Sequence, residues 1–255
     1  MNSAVKWLID GELGVVTLDR VKSRNSLRVD EMEEVGLAFE RAAAAGARCI
    51  LVRGEGGAFC AGRDLQDTRP GEDDTYEIVS KRINPALAKV RHCGVPTISA
   101  VQGPALGFGF GLALACDITI VADNALMGSP FRNLGLMLDS GGHHHLRERL
   151  GRHRCAEIVF LGKLFSGREA AEMGLVNRSV GALDVEGVAS GMARSISQGP
   201  TAAFRATKEI LSANRSYEES AELEAIHQAR LIAGPDGIEG IDAFQKKRRP
   251  RFVGR

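Results

Sequence analysis

Two glycine-bearing stretches, GGAFCAGRDL (56–65) and GPALGFGFGLALACD (103–117), place small residues where an apolar strand gives way to a loop or helix. Glycine lets the chain turn at positive φ and lets another backbone approach closely. The first N–H groups of a helix lack intrahelical acceptors and point at whatever negative group lies near. If the two stretches meet, one N–H from each converges on a single oxygen. Fixed donors aimed at a charge that develops during a reaction form an oxyanion hole, worth roughly 3 to 4 kcal/mol per donor. A phosphate, or only a tightly packed neighbour, would suit the same glycines.

A proton carrier stands further on. LGLMLDSGG (134–142) sets Asp139 in the loop before GGHHHLRERLG. Flanked by Leu136, Met137, Leu138 and, should the loops close over it, Phe108 and Phe131, this carboxylate is poorly solvated, which favours its protonated form and suits proton relay. Aspartate also commonly caps a following helix, so that role stays open. His143, His144 and His145 follow. Successive helical side chains diverge by about 100°, and with no Cys or carboxylate cluster beside them no metal is expected. A helix starting near Ser140 would put His143 four residues from Asp139 on one face, able to hydrogen-bond it.

GFGFGL invites a nucleotide reading, which fails on spacing. Gly107, Gly109 and Gly111 alternate strictly, the third comes one residue early for G-x-G-x-x-G, and no Walker lysine follows.

The elements that must carry these residues read as α/β. VKWLI and GELGVVTLDR form a hairpin; Asp30 caps a helix to about Ala45 with Met32, Val35, Leu37, Ala38 and Phe39 as its apolar stripe; RCILVRG is a buried strand. A helix from about Thr75 to Arg91, the strand PTISAVQG and the strand DITIVAD repeat that order, so helices cover a sheet buried on both faces. The polar segment Asp64–Asp74 is the best candidate for a mobile loop. From Ser140 onward the pattern is almost wholly helical, with a capping-box signal at Ser216–Glu219.

With 255 residues, 44% of them hydrophobic, the chain can bury a large core. Its 33 Lys and Arg against 32 Asp and Glu favour neither nucleic acid nor an anionic membrane as partner. The basic run KKRRPRF is a local exception, read as a solvated tail. Five widely spaced cysteines without a CxxC pair read as buried thiols in a reducing, cytoplasmic setting, and no apolar run reaches the ~18 residues of a membrane span.

The two glycine stretches, with GLVNRSV (174–180) and GIDAFQKKRRPRF (240–252), together resemble the crotonase (enoyl-CoA hydratase/isomerase) superfamily over essentially the whole chain. The resemblance implies an α/β spiral of ββα units carrying the CoA and acyl site (1–195) and a C-terminal helical trimerisation region (196–255), hence a homotrimer or dimer of trimers. It implies an acyl-CoA thioester as substrate, with coenzyme A arriving as part of that substrate and no separate cofactor. The oxyanion donors carried over are the N–H of Arg63 and of Phe108, whose side chains are free to vary. Arg24 in SRNSL, with Ala61, Gly62, Asp64 and Leu65 of AGRDL, falls where the family lines CoA; Gly107 and Phe131 border the acyl group. Phe244 and Lys247 match an aromatic and a basic residue that contact CoA, sometimes from a neighbouring subunit.

Two departures bear on the reaction. Family hydratases work through two glutamates, whose places are taken here by Gly111 and Phe131. The Leu-Gly-Leu, Asp, Gly-Gly arrangement around Asp139 is closest to the 1,2-epoxyphenylacetyl-CoA isomerases of phenylacetate breakdown. Dienoyl-CoA isomerases and 4-chlorobenzoyl-CoA dehalogenases also place a working aspartate there. The resemblance therefore implies an isomerase using Asp139 as acid and base, with hydrolysis or substitution on the CoA ester, or a non-catalytic acyl-CoA-binding scaffold, as alternatives.

Overall fold

A computed structural model describes residues 3–66, 68–212 and 215–255. Asp67, inside the loop read as mobile, lies outside the described residues. Strands β1 (Val5–Asp10) and β2 (Leu13–Leu18) pair antiparallel as the expected hairpin. From β2 the sheet continues in parallel through β3 (Cys49–Gly54), β4 (Thr97–Val101), β6 (Ile118–Ala122) and β9 (Arg178–Val180). A small second sheet joins β5 (Ala105–Leu106), β7 (Leu126–Gly128) and β8 (Phe165–Ser166). Every residue of β4 is buried, as a strand covered on both faces requires. Its Ser99 hydroxyl, with that of Thr119, donates to the Ala113 carbonyl at 3.0 and 2.8 Å, so the polar groups of the core serve a helix end.

Helix α1 (Val29–Ala44) buries Met32, Val35, Ala38 and Phe39 as its spacing predicts, but Gly36 takes the place expected for Leu37. The reason is contact: a methyl on Gly36 would lie 2.8 Å from the Ala86 carbonyl of the next helix. Asp30 is not the cap. The cap lies two residues earlier, at Arg28, whose N–H donates to Glu31 at 2.7 Å.

Helix α2 (75–91) is α-helical over Thr75–Glu77 and Asn84–Arg91 and π-helical over Ile78–Ile83. Helix α3 (Phe108–Ala115) is wholly buried, which is why it is apolar on every side. Helix α4 (Gly142–Leu161) breaks at Gly151, whose φ of 75° and ψ of 169° are not helical. The short α5 (Gly167–Glu172) precedes α6 (Val185–Ser197), which packs on β3, β4 and β6 and crosses residue 195.

Helices α7 (Thr201–Leu211), α8 (Tyr217–Ala233) and α9 (Pro235–Gln245) complete the chain, α8 opening on the expected Ser216–Glu219 box. No residue of α8 is buried in the single chain. The basic run is not a free tail: Arg248 bonds Glu239 and Asp242 at 2.6 Å each, and the Arg251 N–H donates to Glu239 at 2.8 Å. All five cysteines are buried and free, as read from their spacing. Among the described residues no helix is long and apolar enough to cross a membrane.

Candidate active site

The two glycine stretches meet. Leu27 donates to the Gly62 carbonyl at 2.9 Å and accepts from the Asp64 N–H at 2.8 Å, so the Arg63 N–H between them points away from that partner. Cys60 is stitched in turn to the second stretch, donating to the Pro104 carbonyl at 3.0 Å and accepting from the Leu106 N–H at 2.9 Å. Gly62 (φ 102°) and Gly107 (φ 52°) then turn both stretches at positive φ, which glycine adopts without a Cβ clash. A methyl on Gly62 would sit 2.8 Å from the Leu106 carbonyl and 3.7 Å from the Phe108 nitrogen. Phe108 opens α3, so its N–H has no acceptor within the helix. Gly109 explains the alternation, since a methyl there would strike the Cys60 carbonyl and come within 2.6 Å of its Cβ. The glycines therefore serve tight packing and an amide-lined edge at once.

That edge opens on a cavity of about 730 Å³. Met32 of α1 and Tyr76, Val79 and Ile83 of α2 form one wall, and Phe108, Phe131, Leu136, Met137 and Leu138 form another. Asp139 is the single carboxylate among the described residues that line it. Burial pushes its carboxyl above the ordinary aspartate range; the Ser140 hydroxyl, donating to Oδ1 at 2.9 Å, and the charges of Arg63 and His143 pull the other way. The carboxylate does not cap α4. It is the Asp139 carbonyl that accepts from the Gly142 N–H, at 2.9 Å, and Gly141 holds the cap position. Because α4 starts at Gly142, the expected helical pairing of Asp139 with His143 does not form, although His143 lines the same cavity.

The histidine run has the carboxylate neighbour its sequence did not announce. His144 Nε2 lies 3.2 Å from Glu148, and the ligating atoms of His144, His145 and Glu148 fall within 4.8 Å of one another. Arg91 at 3.9 Å from Glu148, with half-buried Arg149 nearby, adds positive charge that opposes a cation. His145 is buried, and desolvation, followed by Arg149, Arg91 and His144, pulls its imidazole down to about 3. Its folded value lies below its unfolded one, so between pH 6.5 and 3 the unfolded chain binds a proton that the native chain refuses. Stability is expected to fall with acidification across that window by up to about 1.4 kcal/mol per pH unit. Denaturant titrations over that range check it, and His145→Gln should flatten the slope.

Ala61, Gly62, Leu65, Gly107 and Phe131 line the cavity as expected. Asp64 does not: its carboxylate pairs with Arg20 at 3.1 Å, leaving only its backbone for the loop. Arg24 borders a separate cavity of about 240 Å³ with Glu55 and Pro104. Phe244 and Lys247 are not brought to the cavity of their own chain, Phe244 being 85% exposed on α9. Sequence reasoning missed the α2 wall, the Ser140 hydroxyl and the Arg63 side chain. Val79 and Ile83 carry a helical spacing, but spacing cannot tell a cavity face from a packed one.

The enoyl-CoA hydratase/isomerase family pattern matches residues 9–255. The chain belongs to the enoyl-CoA hydratase/isomerase family. It is 35% identical over 253 residues to a Rhodobacter capsulatus protein named "Probable enoyl-CoA hydratase", covering 98% of each chain. The crystal structure of enoyl-CoA hydratase from Bacillus anthracis superposes with a TM-score of 0.92 at 29% identity, over 99% of this chain and 100% of that one. An enoyl-CoA hydratase from Polaromonas sp. JS666 gives 0.90 at 30% identity, over 97% and 99%. The fold is the crotonase fold of these neighbours, and family members act on CoA thioesters.

Within this enoyl-CoA hydratase/isomerase chain position 111 is closed by geometry as well as by residue type. A methyl on Gly111 would collide with the Ser140 carbonyl and come within 2.7 Å of its Cβ. The ring of Phe131 stands 3.4 Å from where a methyl on Gly107 would be, over the amide turn. The Asp139–Ser140 loop thus occupies the space into which a side chain at 111 would project.

Proposed function

We propose that the protein is an acyl-CoA isomerase acting through a thioester enolate. The thioester oxygen accepts the N–H of Arg63 and of Phe108, donors that suit the charge arriving on that oxygen. Asp139 takes a proton from an acyl carbon; the C–H electron pair moves into the thioester as the C=O becomes an enolate oxygen. Asp139 then returns the proton at a second carbon, so a double bond moves or a strained ring opens with no net change in composition. The apolar walls fit an acyl group of fatty or aryl-acetic type. The observation that carries this reading is that Asp139 is the one carboxylate among the described residues lining the cavity, beside two amide-donor loops, in a site where Ser140 fills the space next to position 111.

The test is a panel of enoyl, dienoyl and aryl-acetyl CoA esters followed by mass spectrometry in deuterated water. Products of unchanged composition, apart from exchanged deuterium, are expected. A product heavier by one water, free coenzyme A, an adduct on Asp139, or tight binding with no turnover across the panel would each overturn it.

A further inference from the structure

Arg63 enters the site through its backbone, and its side chain is the anomaly of the cavity. Arg63 borders the same cavity as Asp139, and its Nε is buried without a hydrogen-bond partner. Among the described residues no carboxylate lies within ion-pair distance of it. Arg63 is half-buried, and a cation with no direct ion-pair partner can act on a carboxylate across a shared cavity.

The chemistry in the cavity has a use for that charge. A relay must first accept a proton, and burial pushes Asp139 toward its protonated form, which favours the acid role over the base role. Entry of an apolar acyl group removes water and deepens that problem. Among the described residues, the titratable groups that line the cavity with Asp139 are Arg63 from its loop, Tyr76 from α2, and His143 and His144 from α4. Of the charged ones, Arg63 exerts the largest influence on the carboxylate, with His143 behind it.

We propose that the Arg63 side chain is a positioning residue for Asp139: facing it across the cavity, the unpaired guanidinium keeps the carboxylate ionised and able to take a proton. This rests on the assignment of Asp139 as acid and base. One residue then serves the site twice, its N–H at the thioester oxygen and its cation toward the acid. Substituting the side chain separates the two, because the N–H stays.

The decisive measurement is the titration of Asp139 in the substrate-free protein, followed by NMR with carboxyl-labelled aspartate and assigned through Asp139→Asn. Removing the cation should raise the carboxyl, since the charged form loses its support. In Arg63→Gln the midpoint should move up by about one pH unit, the low end for an opposite charge without direct contact. The acid limb of the kcat profile should move with it, while Arg63→Lys leaves both near wild type and His143→Gln gives a smaller shift. Should the Gln variant unfold, Arg63→Met supplies the same reading. An unmoved midpoint in Arg63→Gln or Arg63→Met, or a full shift in Arg63→Lys, overturns the inference. Wild-type turnover in Asp139→Asn would instead overturn the functional reading, and the NMR midpoint would still judge Arg63.

Discussion

Asp139→Asn is expected to lower kcat by about three to four orders of magnitude, the upper range for a general acid–base group, while binding of the CoA ester persists. The amide keeps the shape of the carboxylate and can still accept the Ser140 hydroxyl on its oxygen, so the loop geometry should survive. Stability should move the other way. The Asp139 carboxyl is raised in the native state by burial, so the native chain holds its proton to higher pH than the unfolded chain. A raised carboxyl means that stability is lost as pH rises through the window above the unfolded value. At neutral pH the Asn variant escapes that penalty and should melt at or slightly above the wild-type temperature. Single-turnover kinetics with calorimetry checks both halves; undiminished turnover would remove Asp139 from the mechanism.

Gly111→Glu is the second large effect, and its direction runs against simple family logic. Placing a glutamate where family hydratases carry one should create no hydratase here. Any Cβ at 111 meets the Ser140 carbonyl and Cβ, neither of which is a flexible chain end. Overpacking of this kind costs about 1 to 3 kcal/mol or more. At roughly 2 to 4 °C per kcal/mol for a chain of this size, melting should drop by about 5 to 10 °C. Turnover of the CoA ester should fall as well, because the residue displaced is the neighbour of Asp139. Pairing it with Phe131→Glu should worsen stability and yield no hydrated product. A stable Gly111→Glu protein that hydrates enoyl-CoA would show that the Ser140 loop is not the barrier described.

What could be read from the sequence follows from the range of each interaction. The hairpin, the parallel strands and the Ser216 box depend on local spacing, and each stands where its pattern places it. The meeting of the 56–65 and 103–117 stretches was legible because glycine at a strand end has few other uses. Asp30 was misplaced because Arg28, which opens α1, carries no side-chain signal of a cap; the Glu31 carboxylate serves the Arg28 N–H instead. Leu37 gave way to Gly36 because the pattern cannot see Ala86 arriving from α2. Asp64 and Asp139 are both loop carboxylates in sequence. Only the fold puts Arg20 beside one and a cavity beside the other.

The contact of the 56–65 loop with β5 and α3 runs backbone to backbone, at Gly62 against Leu106 and at Gly109 against Cys60. The spacing of the two amide donors is therefore set by main-chain atoms that no substitution along the acyl walls can touch. Tyr76, Leu136 or Met137 can be exchanged to admit a different acyl group without retuning the polarising end of the site. Such a division leaves substrate range free to drift during evolution while the step that all these substrates share stays fixed.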